Sequence, residues 1–422
     1  MPYQLINIID VLRHAFEYHD PRLINHGERV AYILMKLLAD NPSFTDQEKQ
    51  DIFMLGLLHD IGAYKEEEVD TMLSFDARDS MEHSIFGYLL FKTFSPLPEY
   101  ADCILYHHNH DARYHSVRIS KQHREIAKLI HLADRIDIFF VHNGAKMITS
   151  LMQEPSIRSV FSEKDLQNFL ECDKKHSILE NLASKAYLEQ LSDYTARKII
   201  LTEPQLRAYL MTYLFSIDFR NEYTVLHSSY AINLCEKFTQ KLHLTKTTLK
   251  TTQLAAMLHN IGKVSLPMQI NSPAEFEQYL KKLYQPSVQK VTHKILTGAV
   301  DPHLISTIEQ SSLLVECFLN NERITFAPSP AEEIVALSYF ISNNTHSEAS
   351  HLNKSQLLNY LTRKYEVCSL EDSTLRALIK NYDSILQDTK VAADSVRNSY
   401  RKMTDEEHTL RTIFLHYTKK YV

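Results

Sequence analysis

Tryptophan is missing from this 422-residue chain, and glycine occurs only seven times. Leu, Ile, Lys, Glu and Ala fill long stretches instead. Apolar residues recur three and four positions apart, as in "VAYILMKLLAD" and "SILENLASKAYLEQL". Together these features predict an all-α protein. The five cysteines stand singly at 103, 172, 235, 317 and 368, with no CxxC pair, which excludes a disulfide framework and a thiolate metal site. No apolar run approaches the roughly 18 residues of a membrane span. The N-terminus, "MPYQLINIIDVLRHAFEYHD", lacks the apolar core and cleavage site of a signal peptide. A cytoplasmic protein with no membrane partner is expected. The net charge of -6 argues against DNA as a partner. Gly/Ser-rich and low-complexity segments are lacking too, so any two domains are expected to join through a helix.

What is present is a pattern written twice. With 44% hydrophobic residues, the chain is long enough for two globular domains. "GLLHDIGAYK" occupies residues 56–65, and "AMLHNIGKVS" occupies 256–265. His26 precedes His59 by 33 positions, and His227 precedes His259 by 32. "LIHLADRIDIFF" at 129–140 aligns with "IVALSYFISNN" at 334–344. Three matches in order at a near-constant offset imply a duplicated helical domain. The boundary falls near 190–205, in "KAYLEQLSDYTARKIILTEPQ", giving domains 1–195 and 196–422.

The copies differ in their chemistry. The first holds His26, His59, Asp60, His83, His107, His108 and Asp134; the second keeps His227 and His259 but replaces the aspartates with Asn260 and Tyr339. Imidazole nitrogens and carboxylate oxygens are the usual ligands of iron, manganese and zinc. Neighbouring helical residues point about 100° apart, so His59-Asp60 suits two metals with the carboxylate between them. Two metals roughly 3.5–4 Å apart clamp the attacking and leaving oxygens of a phosphoryl group. Each residue alone has a plainer use. Asp60 ahead of Gly62 suits a helix C-cap, and Asp134 beside Arg135 suits an ion pair. The ordered set H…HD…H…HH…D is the specific signal. The second copy, lacking most of it, is expected to hold no metal.

"LLHDIGAYK", "EHSIFG" and "YHHNHD" resemble the HD superfamily of metal-dependent phosphohydrolases, and most closely its HD-GYP branch. "LHNIGKVSLP" carries the resemblance into the second half. It implies an all-helical fold and hydrolysis of a cyclic dinucleotide, cyclic di-GMP or cyclic GMP-AMP, or of a related phosphodiester, by a hydroxide shared between iron or manganese ions. His26, His59, Asp60 and Asp134 would hold one metal, and Asp60, His83, His107 and His108 the other. Asp60, Lys65 and Asp137 are the candidate catalytic residues, and Arg113 and Arg135 the candidate phosphate contacts. The GYP triplet is absent, since "NHDARYH" follows the paired histidines. The branch's lysine position is Ala63, with Lys65 nearest. Arg22 stands where trinuclear members have a glutamate, so two metals are expected. "HDARYHSVRISKQHR" at 110–124 reads as a phosphate-meeting lid or a solvated loop.

Two other readings stay open. Di-iron oxygenases of the superfamily have a similar ligand set with single rather than doubled histidines. Degenerate members act as non-catalytic nucleotide-sensing modules, which fits the second copy. The C-terminal helix, ending "RTIFLHYTKKYV", is expected to pack on its own domain, on the first copy or across a homodimer.

Overall fold

The computed structural model describes residues 3–4, 9–15, 24–63, 81–108, 119–144, 158, 161–219, 221–242, 244–266, 270, 272–345 and 353–418. The described residues are overwhelmingly helical, as the periodicity predicts. Their one sheet is a two-residue antiparallel ladder, with Tyr3 opposite Leu201 and Gln4 opposite Ile200. No described helix is long and apolar enough to cross a membrane.

The chain forms two compact units, Met1–Ser216 with Asp405–Val422, and Ile217–Thr404. The sequence boundary at 195/196 therefore differs from the structural division. The helix Glu203–Asp218 belongs almost wholly to the first unit, where Phe215 packs on Phe94 at 4.6 Å between ring centroids. The last eighteen residues also return to the first unit.

In the first unit, α1 covers 9–15, α2 His26–Ala39, α3 Asp46–Leu58, α4 Met81–Phe94, α5 Ala101–Leu105 and α6 Lys121–Asn143. Local signals set several ends. Thr45 and Glu48 close a capping box at the start of α3. Ser120 accepts from the His123 amide at the start of α6, and Gly144, at φ 72, stops it. The apolar faces meet in one core, with Val30, Ile33 and Leu34 of α2, Ile52 and Leu55 of α3, and Ile126 and Ile130 of α6 all fully buried. Each such side chain contributes about 1.5–3 kcal/mol.

In the second unit, α7 is Glu222–Lys241, α8 Lys246–Leu258 and α9 Pro330–Thr345, with a 3-10 turn at Ile261–Ser265. The final helix, α10, runs Ser373–Thr418. Its residues to Thr404 count with the second unit and the rest with the first.

The duplicated phrase has the same structural use in both units. α3 ends at Leu58 with His59 as its cap, and α8 ends at Leu258 with His259 as its cap. The glycine that follows is not a left-handed cap, since neither Gly62 nor Gly262 has positive φ. It is there for close approach. A Cβ on Gly62 would lie 2.0 Å from the His83 carbonyl oxygen, and one on Gly262 would lie 2.4 Å from the Val288 oxygen.

Candidate metal centre

The first unit brings all seven expected ligands together. His26 opens α2 after Asn25, whose left-handed φ of 58 turns the chain into the helix. His59 and Asp60 sit in the turn after α3, locked by the Ile61 amide on Leu58 O and the Ala63 amide on Asp60 O. His83 lies in the first turn of α4. His107 and His108 follow α5, and Asp134 faces inward from α6. Five of the seven are under 5 % exposed, and His108 and Asp60 are scarcely more open.

Their ligand atoms form two groups, each within 4.8 Å: His26, His59, Asp60 and Asp134, and Asp60, His83, His107 and His108. Asp60 belongs to both and divides its oxygens between them. Oδ2 lies 3.3 Å from His26 Nε2 and 3.1 Å from His59 Nε2. Oδ1 lies 3.4 Å from His83 Nε2 and 3.6 Å from His107 Nε2. His26 Nε2 is also 3.4 Å from Asp134 Oδ1, and the Nε2 atoms of His83 and His108 are 3.0 Å apart.

The centre's polar atoms lack partners where a cation would stand. His26 Nε2, His59 Nε2, His107 Nε2, Asp60 Oδ1 and Asp134 Oδ1 are buried without a hydrogen bond. Buried polar groups are rarely left so. The donor set, nitrogen and carboxylate only, fits divalent iron, manganese or zinc.

The opposite edges of the rings are occupied. Gly56 O accepts from His59 Nδ1 at 2.8 Å, and Ile104 O from His107 Nδ1 at 2.6 Å. Asp137 Oδ2 lies 2.7 Å from His26 Nδ1, and Arg29 bonds both Asp137 oxygens. These contacts orient each Nε2 toward the centre, as outer partners of metal-bound histidines do.

The charges match this arrangement. Burial alone pushes the Asp60 carboxyl up, but His59, His107 and His26 outweigh it and hold the carboxyl well below its usual range. Burial lowers His26, but Asp134, Asp137 and Asp60 outweigh that and raise it well above the ordinary imidazole value. Burial, with His107 and His59 nearby, brings His83 down to about 3, so it is neutral and able to ligate.

Asp137 and Arg135 take positions other than those expected of them. Asp137 lies behind the His26 ring, with both oxygens engaged by His26 and Arg29. Arg135 is 4 % exposed and grips Asp134 Oδ2 through Nε at 3.0 Å and its terminal nitrogen at 2.7 Å. It thereby turns Asp134 Oδ1 toward the centre. Lys65, Arg113 and Arg22 lie outside the described residues.

Sequence reading missed three residues. Arg29 stands one turn after His26. His131 stands one turn before Asp134, and its ring meets His108 edge-on at 5.4 Å. The i, i+3 spacing was the available signal for both. Arg13 of α1 has no such signal; it borders a cavity of about 40 Å³ together with His26, His59 and Asp60.

Different chemistry fills the equivalent place in the second unit. The Tyr339 ring stacks on His259 at 4.3 Å, and its hydroxyl donates to Ala256 O. His227 Nε2 faces Asn343 Oδ1 at 2.6 Å. Lys263, three residues after Asn260, is buried and bonds both oxygens of Asp218 at 2.7 Å.

The helices and ligand groups together define a class. Residues 23–138, which span all seven of these residues, match the family described as the HD domain. Over 270 residues the chain is 27% identical to the 3'3'-cGAMP-specific phosphodiesterase 1 of Vibrio cholerae, covering 58% of this chain and 60% of that protein. The chain thus spans about 60% of the length of this curated relative. A crystal structure of a cyclic GMP-AMP specific phosphodiesterase of V. cholerae aligns with a TM-score of 0.47 at 14% identity, covering 94% of this chain and 98% of that one.

Proposed function

We propose that this protein is a metal-dependent phosphodiesterase that hydrolyses a cyclic dinucleotide, with 3'3'-cyclic GMP-AMP as the first candidate and cyclic di-GMP as the second. One observation carries the reading: two ligand groups share Asp60, with one of its oxygens toward each. The activity named for the Vibrio cholerae relative supports the substrate class. His26, His59, Asp60 and Asp134 would hold one ion and Asp60, His83, His107 and His108 the other, with iron or manganese the proposed metals. A pair of divalent ions supplies Lewis acidity toward a phosphoryl group.

The chain's own residues prepare that site. The carbonyls of Gly56 and Ile104 and the carboxylate of Asp137 each hold an Nδ1 edge, which leaves the Nε2 lone pairs inward. Arg135 fixes Asp134 from behind. Arg13, on the cavity wall, pairs with Asp10 at 3.1 Å and Glu28 at 3.6 Å and is proposed as a further contact for a non-bridging phosphate oxygen. Lys65 and Arg113 are proposed as further phosphate contacts. The doubled His107-His108, both in one ligand group, favours hydrolysis over the oxygenase reading. The second unit is proposed as a non-catalytic partner of the first.

The test is direct. Metal-free protein is reconstituted anaerobically with Mn(II) or Fe(II), and cyclic dinucleotides are followed by chromatography. Appearance of a linear dinucleotide is expected. No hydrolysis of any cyclic dinucleotide or of simple aryl phosphodiesters would refute the proposal.

A further inference from the structure

The last turns of α10 lie against the segments that carry one ligand group and not the other. Arg411 reaches Glu82 at 2.6 Å, and Glu82 is the neighbour of His83. Glu406 accepts from Lys92 at 2.6 Å and from the Tyr88 hydroxyl at 3.3 Å, both further along α4. The Phe414 ring meets Tyr106 at 6.1 Å, and Tyr106 is the neighbour of His107. As α10 advances from 406 to 411, its partners on α4 retreat from 92 to 82, so the helices run antiparallel. Glu407 also bonds Arg411, at 2.8 Å, and steers its guanidinium. All these residues belong to the first unit.

His83, His107 and His108 all stand on the segments so held. His26, His59 and Asp134 come from α2, the turn after α3, and α6, and none of these contacts of Glu406, Arg411 and Phe414 goes to them. We infer that residues 405–414 of α10 are positioning residues for the His83–His107–His108 half of the centre, supplied to the first unit by chain that enters only after the second. α4 and the turn after α5 are clamped from outside by α10, while the histidines they carry face inward. The ion pairs are half-exposed and each is weak. The effect therefore comes from the set of contacts along one helix. A truncation near residue 200 would remove part of the metal-binding unit together with the second copy.

This inference rests on the two-group reading of the metal centre. The test uses full-length chains in two backgrounds. In Asp134→Asn, the remaining complete group is Asp60, His83, His107 and His108. In His108→Gln, the remaining complete group is His26, His59, Asp60 and Asp134. Manganese affinity is measured by titration of metal-free protein in each background, with and without Arg411→Glu. That substitution sets like charge against Glu82 and Glu407. Affinity is expected to fall about fivefold in the Asp134→Asn background and to stay within twofold in the His108→Gln background. Adding Glu82→Arg to Arg411→Glu should restore most of the loss. A chain ending at Thr404, shown folded by its unfolding transition, should lose more affinity in the first background than the charge reversal does. Equal losses in both backgrounds, or no loss in either, would overturn the inference. A wild-type protein that binds fewer than two ions would overturn both the inference and the reading beneath it.

Discussion

Replacing Asp60 with asparagine is the most informative single change. Four imidazole nitrogens lie within 3.6 Å of its carboxylate, two on each oxygen. Asparagine keeps the shape but removes the charge, and it presents an NH2 donor to one pair of rings. That pair would face hydrogens where it now shares a cation site with an oxygen. Loss of an outer partner of a ligand costs about 10- to 100-fold in metal affinity. Loss of a charged ligand should exceed that, so about 100-fold or more is expected at each site, or roughly 2.8 kcal/mol at 1.4 kcal/mol per decade. The side that receives the NH2 should lose more. Manganese titration of metal-free protein, with elemental analysis after gel filtration, reads both sites. Asp134→Asn is the control, and should weaken one site only. If Asp60→Asn keeps either ion at wild-type affinity, Asp60 does not bridge and the two-group reading fails.

Three further outcomes follow from the same geometry. Asp137→Asn should lower metal affinity about 10- to 100-fold at the His26 group alone, since His26 Nδ1 loses its carboxylate; equal loss at both groups on titration would count against a positioning role. Gly62→Ala should cost about 3 kcal/mol and lower metal content, because its Cβ would drive into the His83 carbonyl; unchanged thermal unfolding would refute the packing argument. Lys263→Met should cost about 3–5 kcal/mol by stranding buried Asp218, and Asp218→Leu on the same chain should recover much of it; denaturant unfolding in which the single variant matches the double would show that the pair is not what holds that core.

Helical class and the clustered histidine and aspartate set were legible because both depend on residue type at short spacing. Three- and four-residue periodicity needs no tertiary knowledge, and a histidine-rich set stands out against a background of Leu, Lys and Glu. The outer residues were harder to place. Arg135 looked like a phosphate contact because sequence shows a guanidinium beside a carboxylate but not which way they face. Asp137 stood among the candidate catalytic residues, and its contacts with His26 and Arg29, over 100 positions away, are not written in local spacing. Gly62 looked like a cap, and only its distance to the α4 backbone revealed a packing role.

Sequence by itself determined that this protein repeats one helical phrase, that seven histidines and aspartates of metal-ligating type stand in its first half, and that Asn260 and Tyr339 stand where the second half would match two of the aspartates. These are properties of composition and order. Only the tertiary structure decided that Asp60 gives one oxygen to each group, that Asp137 and Arg135 stand behind ligands rather than before a substrate, and that the end of the chain returns to the first unit. Each of these depends on distances between residues far apart in the chain, such as the 108 positions from Arg29 to Asp137 or the 329 from Glu82 to Arg411. Local spacing carries no record of such distances, because they are set by how whole helices pack.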